Sequence, residues 1–302
     1  MRYAYYPGCS LHSTAKEYDL SAKEVARSLG IELMEIPDWI CCGATPAHIT
    51  MNLLSIALPV KNLLKAKSMG SYEVVACCAA CFNRLKVANA FMETRDEDRR
   101  KVEDIVGEPY RGEVKVRHFL DVLANQFGLK NLKEKVARQL TGLKVACYYG
   151  CLLTRPKDIT GFDDLEEPHL MDDMMKAIGV EPVNWPYKTE CCGASFSLSR
   201  TDIVLRLSRD ILQMASDEGA QAIVVACPLC QSNLDLRQGM VNKKYNTNFN
   251  IPILYFTQVL GLALGIEAKK LGFEKHIVSP LSLLKECSRR LNVGYIPTKR
   301  EP

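Results

Sequence analysis

Short apolar runs alternate with longer amphipathic stretches along most of this chain. Tyr3 to Pro7 is a β-like run ending at Gly8-Cys9. Residues 10–29 predict a helix whose apolar face is Leu20, Val25, Ala26 and Leu29, closed by Gly30. Ile31 to Ile36 predicts a second strand. A helical stretch follows over residues 47–69, in which Pro59 is expected to kink or divide the helix. Tyr72 to Ala76 is a β-branched run, followed by another helix, and residues 93–108 form a dense run of mixed charge that reads as a solvated face. Val114 to Val116 predicts a strand, residues 118–127 a helix, and the polar, lysine-rich stretch 131–142 a boundary.

Beyond that boundary the order repeats. Leu143 to Tyr149 and Gln221 to Ala226 read as strands, with a helix over 196–217 between them. Ile253 to Ile266 is apolar apart from Gln258 and predicts a buried strand and helix, being too short to span a bilayer. Strands alternating with helices predict an α/β fold with a small parallel or mixed sheet in each half.

The cysteines turn this repetition into a duplication. The halves read C-x31-CC-x35-CxxC and C-x39-CC-x34-CxxC, through Cys9, Cys41, Cys42, Cys78 and Cys81, then Cys151, Cys191, Cys192, Cys227 and Cys230. Ten of the thirteen cysteines fall in this pattern. Local sequence agrees: Val74-Val75-Ala76-Cys77 matches Val224-Val225-Ala226-Cys227, and Phe119 with Val122-Leu123 matches Phe256 with Val259-Leu260. One small insertion before the second doublet accounts for the change in offset. The expected organisation is a domain over 1–140, a second over 141–268, related to the first by pseudo-two-fold symmetry, and a C-terminal extension over 269–302 with no counterpart in the first half. On this reading Cys9, Cys78, Cys151 and Cys227 lie at carboxyl ends of strands, where open α/β sheets place their ligands. Each also precedes a helix whose amino terminus favours an anionic group.

Composition narrows the function. With 302 residues, 47% hydrophobic and 25% charged, the chain has the make-up of a globular protein, and its net charge of +4 is interspersed. That distribution gives no support for nucleic-acid binding, which calls for clustered basic residues. No secretory leader is visible at Met1-Arg2-Tyr3-Ala4, so a cytoplasmic location is expected, where thiols stay reduced and thirteen cysteines argue for metal or redox chemistry. No Gly-rich phosphate loop is recognisable, so electrons are expected to come from a partner.

Four thiolates could close a tetrahedral zinc site. Four could equally hold an iron–sulfur cluster, and a C-x-x-C could act as a redox thiol pair. Five cysteines per half exceed what zinc or a cubane cluster needs, and a thioredoxin-like site needs no doublet. Adjacent cysteines in a regular strand point to opposite faces. Both reach one centre only if the backbone turns, which Gly43 and Gly193 permit.

The twice-repeated Cys…Cys-Cys-Gly…Cys-x-x-Cys pattern resembles the CCG-domain family, and a chain with two complete copies resembles its heterodisulfide reductase B subunits. The resemblance covers about residues 2–266; the second x34 spacing is one residue short of the family pattern. It implies a noncubane 4Fe-4S cluster in each half, held by Cys9, Cys41, Cys42, Cys78 and Cys81 and by Cys151, Cys191, Cys192, Cys227 and Cys230. It implies reduction of the coenzyme M–coenzyme B heterodisulfide to two thiols, with the disulfide bound between the clusters. The partners it implies are the flavin-carrying A-type and the cubane-cluster C-type heterodisulfide reductase subunits, with a hydrogenase or formate dehydrogenase. An iron–sulfur electron-transfer subunit of a related complex is the alternative.

Outside the pattern, Cys77 and Cys147 read as core cysteines and Cys287 as incidental. His12 and His48 are the histidines nearest the motifs and read as structural. Arg84, Arg155, Lys157, Lys188 and Arg200 are candidates to meet substrate anions, each with a solvated surface charge as the plainer reading.

Overall fold

A computed structural model of the chain describes residues 1–44, 51–94 and 96–290. In the first half β1 (Arg2–Tyr6) leads to α1 (Gly8–His12), α2 (Lys16–Ser28) and β2 (Glu32–Glu35). Then come α3 (Asn52–Ser68), β3 (Glu73–Ala76), α4 (Ala79–Thr94), α5 (Asp96–Val106) and β4 (Lys115–His118). The half closes with α6 (Phe119–Asp121), a π-helical stretch Val122–Gly128, and α7 (Leu129–Lys135). In the second half, β5 (Lys144–Tyr148) precedes α8 (Cys151–Thr154), α9 (Lys157–Thr160), α10 (Leu170–Ala177) and β6 (Glu181–Pro182). α11 (Thr201–Asp217), β7 (Ala222–Val225), α12 (Pro228–Asp235), α13 (Gln238–Tyr245), β8 (Ile253–Tyr255) and α14 (Phe256–Ala263) follow. The last described helix is α15 (Leu281–Arg290).

Each half is a four-stranded sheet, of order β2-β1-β3-β4 in one and β6-β5-β7-β8 in the other. Every pairing is parallel. The inner strands are buried on both faces, as β7 shows with Ala222, Ile223, Val224 and Val225 all at 0% exposure. That explains their continuous apolar runs, since a parallel sheet is covered by its crossover helices on both sides. The single helix expected over 10–29 is broken into α1 and α2 by residues 13–15. Pro59 does not divide α3, which runs through it. The start of that helix as predicted, and His48, lie outside the described residues. The charged run is α5, solvated except at Val102.

The registers locate the insertion. Tyr5 pairs with Glu35 and Val75, Cys147 with Val224, and Lys144 with Glu181. The copy offset is therefore 142 at the first strand, 149 at the second and third, and 137 at the fourth. The extra residues lie between β5 and β6, around α9. The short x34 spacing reflects a doublet one residue later, not a displaced Cys227. Cys78 and Cys227 both stand two residues beyond their strands.

The halves pack reciprocally. α2 lies against α14 of the second half, and α10 lies against α6, the π-helical stretch and α7 of the first. Likewise α4 meets α8 and α9, while α1 meets α12. Asn83 on α4 donates to the carbonyls of Leu152 (3.1 Å) and Arg155 (2.6 Å), and the Ser21 hydroxyl is 2.7 Å from that of Thr257. Residues 268–278 are packed into this junction. Leu271, Phe273 and His276 are buried, Gln258 donates to the Leu271 carbonyl, and Asp235 accepts from the Ile277 and Val278 N–H groups.

Candidate functional site

In both sheets the chain leaves the first strand in one direction and the third in the other, so a crevice opens between their carboxyl ends. The lone cysteine follows the first strand and the C-x-x-C follows the third, which brings them to the same crevice. The doublet reaches it from beyond the second strand. Cys42 lies 3.5 Å from Cys81, and Cys192 lies 3.6 Å from Cys230. Side-chain hydrogen bonds link Cys9 to Cys41, Cys41 to Cys42 and Cys78 to Cys81. In the second half they link Cys151 to Cys191 and Cys227 to Cys230. Cys78 and Cys227 lie within interaction range of each other, so the two sets meet at the junction of the halves.

Each set has an inner trio that is buried (Cys42, Cys78 and Cys81; Cys192, Cys227 and Cys230) and an outer pair nearer solvent (Cys9 and Cys41; Cys151 and Cys191). Among the described residues no three His, Cys, Asp or Glu side chains converge as one metal ion requires. The thiols form a string of pairwise contacts instead. A multi-iron cluster, whose irons take separate thiolates, calls for a spread donor set of that kind, and five thiols per half fit it.

The first thiol of each doublet is prepared to ionise. Cys41 is held well below the usual thiol range by hydrogen bonds with Cys42 and Cys9 and by the Gly43 N–H, 3.4 Å from its sulfur. Cys191 is drawn down to about 6 by Cys151 and by the Gly193 N–H at 3.3 Å. The partners Cys9 and Cys151 are pushed up, keeping the proton. Thiolates are the form that metals take.

Other residues that shape the site escaped the sequence reading. The Tyr6 hydroxyl donates to the Ile40 carbonyl (2.7 Å) and the Tyr148 hydroxyl to the Glu190 carbonyl (2.6 Å), each clamping the residue before a doublet. Gly8 and Gly150 have φ near +70°, and a Cβ there would meet the Cys81 sulfur at 2.9 Å or the Cys230 sulfur at 3.1 Å. The duplicated Tyr-x-Gly-Cys, at Tyr6 to Cys9 and Tyr148 to Cys151, was the available signal. Asn233 donates to the Cys192 carbonyl at 3.0 Å.

His118 had no such signal. Its Nδ1 accepts from the Leu120 N–H, so Nε2 carries the hydrogen. Nε2 donates to the carbonyls of Cys77 (2.7 Å) and Ala226 (3.2 Å). One neutral imidazole, kept near a pKa of about 4 by burial, thus ties together both C-x-x-C turns.

The other candidates lie apart from the thiol strings or are engaged elsewhere. Cys77 and Cys147 are fully buried; Tyr5 hydrogen-bonds the Cys77 thiol, and Trp185 donates to the Cys147 carbonyl. The Cys287 side chain is outside the described set. His12 pairs with Glu35 at 2.9 Å and meets the Trp39 ring edge-on. Arg155 is paired with Glu166, Lys188 with Asp172 and Arg200 with Asp202, while Lys157 is exposed. Arg84 keeps a buried Nε without a partner among the described residues.

The cysteine-rich domain family model named CCG matches residues 3–86 and again 145–235. The chain is 33% identical, over 93% of its length and 98% of the relative's, to a Wolinella succinogenes protein named as the membrane anchor subunit of 8-methylmenaquinol:fumarate reductase. It is 30% identical, over 92% of its length and 94% of the relative's, to the B subunit of the ferredoxin:CoB-CoM heterodisulfide reductase of Methanosarcina mazei. A protein of Archaeoglobus profundus, named as similar to the heterodisulfide reductase B subunit, is also 30% identical, over 90% and 93% of the two lengths. Among solved structures, a hypothetical protein from Helicobacter pylori superposes with a TM-score of 0.73 at 14% identity, over 92% of this chain and 52% of that one, a likeness of fold alone.

Proposed function

The chain belongs to the CCG cysteine-rich domain family, and on that premise we propose that it is the B-type iron–sulfur subunit of a reductase complex, acting on a disulfide. The observation that carries this reading is the pair of five-thiol sets meeting at Cys78 and Cys227. In it, Cys9, Cys41, Cys42, Cys78 and Cys81 hold one noncubane 4Fe-4S cluster, and Cys151, Cys191, Cys192, Cys227 and Cys230 hold the other. When bound, the clusters supply the two electrons that cleave one disulfide, which with two protons leaves as two thiols.

The chain's own part is to place and shield. The inner trios sit where water is excluded, and the outer cysteines face the side from which a disulfide arrives. Gly8 and Gly150 leave space beside Cys81 and Cys230, and the Tyr6 and Tyr148 clamps fix the doublets. His118 sets the separation of the two C-x-x-C turns. The disulfide of this reading is that of coenzyme M and coenzyme B. The partners are a flavin-carrying A-type protein and a cubane-cluster C-type protein of the same reductase, with a hydrogenase or formate dehydrogenase as electron source, in the cytoplasm.

A second reading is favoured by the 33% identity to the Wolinella relative: an electron relay in a quinol-linked complex. No helix among the described residues is long and apolar enough to cross a membrane. Purifying the intact complex anaerobically and assaying it with the coenzyme M–coenzyme B heterodisulfide, and separately with fumarate and a menaquinol, distinguishes the two. Heterodisulfide turnover, with a new paramagnetic signal on adding one coenzyme thiol to the oxidised protein, supports the first. Fumarate reduction with no response to any thiol supports the relay. Zinc in place of iron overturns both.

A further inference from the structure

Among the described residues seven tyrosines are fully buried, and five of these have a hydroxyl partner. Tyr5 bonds to Asp19, Tyr6 to the Ile40 carbonyl, Tyr110 to Asn89, Tyr148 to the Glu190 carbonyl and Tyr149 to Asp172. The other two, Tyr18 on α2 and Tyr255 at the end of β8, have hydroxyls with no partner among the described residues. Both are at 0% exposure. A buried hydroxyl left unsatisfied costs about 1–3 kcal/mol, and these two belong to one stacked pair, with ring centroids 4.0 Å apart and planes 11° apart.

The pair stands where the two thiol sets meet. The Tyr18 hydroxyl is within electrostatic reach of the Cys77, Cys78 and Cys227 sulfurs. The Tyr255 hydroxyl is within reach of Cys78 and Cys227, and of the Glu17 and Asp235 carboxyls. Asp235 is occupied by the Ile277 and Val278 N–H groups and by Gln231. The Glu17 carboxyl apart, the acceptors near the two hydroxyls are the sulfurs of this junction.

We propose that the Tyr18 and Tyr255 hydroxyls, which reach no cysteine sulfur within hydrogen-bonding distance, donate hydrogen bonds to inorganic sulfide of the groups held at the Cys78–Cys227 junction. The inference rests on the iron–sulfur reading and adds to it a tuning device. Hydrogen bonds to cluster sulfurs stabilise the more negative, reduced state and raise its potential. The device breaks the pseudo-symmetry of the chain. The counterpart of Tyr255 is His118, whose one N–H is already spent on the Cys77 and Ala226 carbonyls. Its aromatic neighbour Phe162, 6.1 Å away edge-on, has no hydroxyl. The two centres thus have unlike surroundings although their thiol sets match.

The test uses the full chain, purified anaerobically with its own iron, as wild type, Tyr18→Phe, Tyr255→Phe and the double variant. Iron and sulfide content, midpoint potentials from an EPR-monitored titration, and pulsed-EPR detection of exchangeable protons near the spin are measured on each. The expected result is unchanged iron, a potential shifted negative in each single variant and furthest in the double, and a strongly coupled proton present in wild type and lost in the double. Full iron with unchanged potentials and an unchanged proton spectrum overturns the proposal and leaves the hydroxyls to a buried water. Should a variant lose iron, the wild-type spectrum decides alone, since absence of a coupled exchangeable proton there also overturns it. Iron-free wild-type protein instead overturns the iron–sulfur reading itself.

Discussion

Replacing Gly8 by alanine separates the demands of the backbone from those of the thiol set. Gly8 has φ +70°, and its added Cβ would lie 2.9 Å from the Cys81 sulfur and 3.3 Å from the Tyr6 ring. Gly30 has φ +68° and nothing within 4 Å of the same position. Both substitutions place an L-residue in left-handed backbone, at about 1–2 kcal/mol each. For a chain of this size that lowers the melting temperature by about 2–4 °C per kcal/mol. Only Gly8→Ala adds the steric term. Non-bonded carbon contacts relax at about 3.5–4.0 Å, so Cys81 must retreat by roughly half an ångström or more, beyond the tolerance of about 0.2 Å in metal–ligand distances. Gly8→Ala should therefore lose the first half's iron and retain the second's, while Gly30→Ala keeps both. Gly150→Ala, whose Cβ would sit 3.1 Å from the Cys230 sulfur, should do the reverse with a milder effect. The assay is iron and acid-labile sulfide per chain after anaerobic purification, with thermal melting alongside. If Gly8→Ala and Gly30→Ala melt alike and carry equal iron, the close approach of Gly8 to Cys81 does not constrain the site.

Three further outcomes follow from the same geometry. Cys41→Ser should abolish or convert the first half's cluster and leave the second in place; an unaltered first-half EPR signal would show that Cys41 is no ligand. His276, held near a pKa of about 4 by burial beside Gln258 and Gln231, binds fewer protons folded than unfolded. Its contribution, up to about 3 kcal/mol, is present above about pH 6.5 and is lost as pH falls towards 4. His276→Gln should flatten the fall of the urea midpoint over that window, and an equally steep fall would count against the burial argument. Asn83→Ala removes both donors that hold the Leu152 and Arg155 carbonyls across the halves, and should cost about 1–3 kcal/mol in denaturant unfolding. A change within error there would mean that the halves are held by apolar packing alone.

The two readings of function diverge at the substrate, and the thiol geometry bears on the cluster more than on what reaches it. Of the five basic residues proposed from their nearness in sequence, Arg155, Lys188 and Arg200 are engaged with carboxylates. Lys157 is exposed, and Arg84 keeps a buried Nε with no partner among the described residues. Nearness in sequence was a poor guide because a side chain's partner is chosen by whatever element packs opposite it.

What the chain shows without its fold is what short-range physics writes into it. β3 and β7 were legible as Val74-Val75 and Val224-Val225 because strands covered on both faces must be apolar throughout. The ten cysteines were legible because duplication preserved their spacing within each half. Strand order, the parallel pairing, and the packing of residues 268–278 depended on which surfaces meet. A short segment with no periodicity, such as Leu271 to His276, carries no local sign of burial. The contact of Cys78 with Cys227, the bridge from His118 to Cys77 and Ala226, and the Tyr18–Tyr255 stack join residues that the sequence keeps far apart. Only the reciprocal packing of the two halves brings them together. The sequence determines which thiols each half carries; the fold decides that the two thiol sets are neighbours.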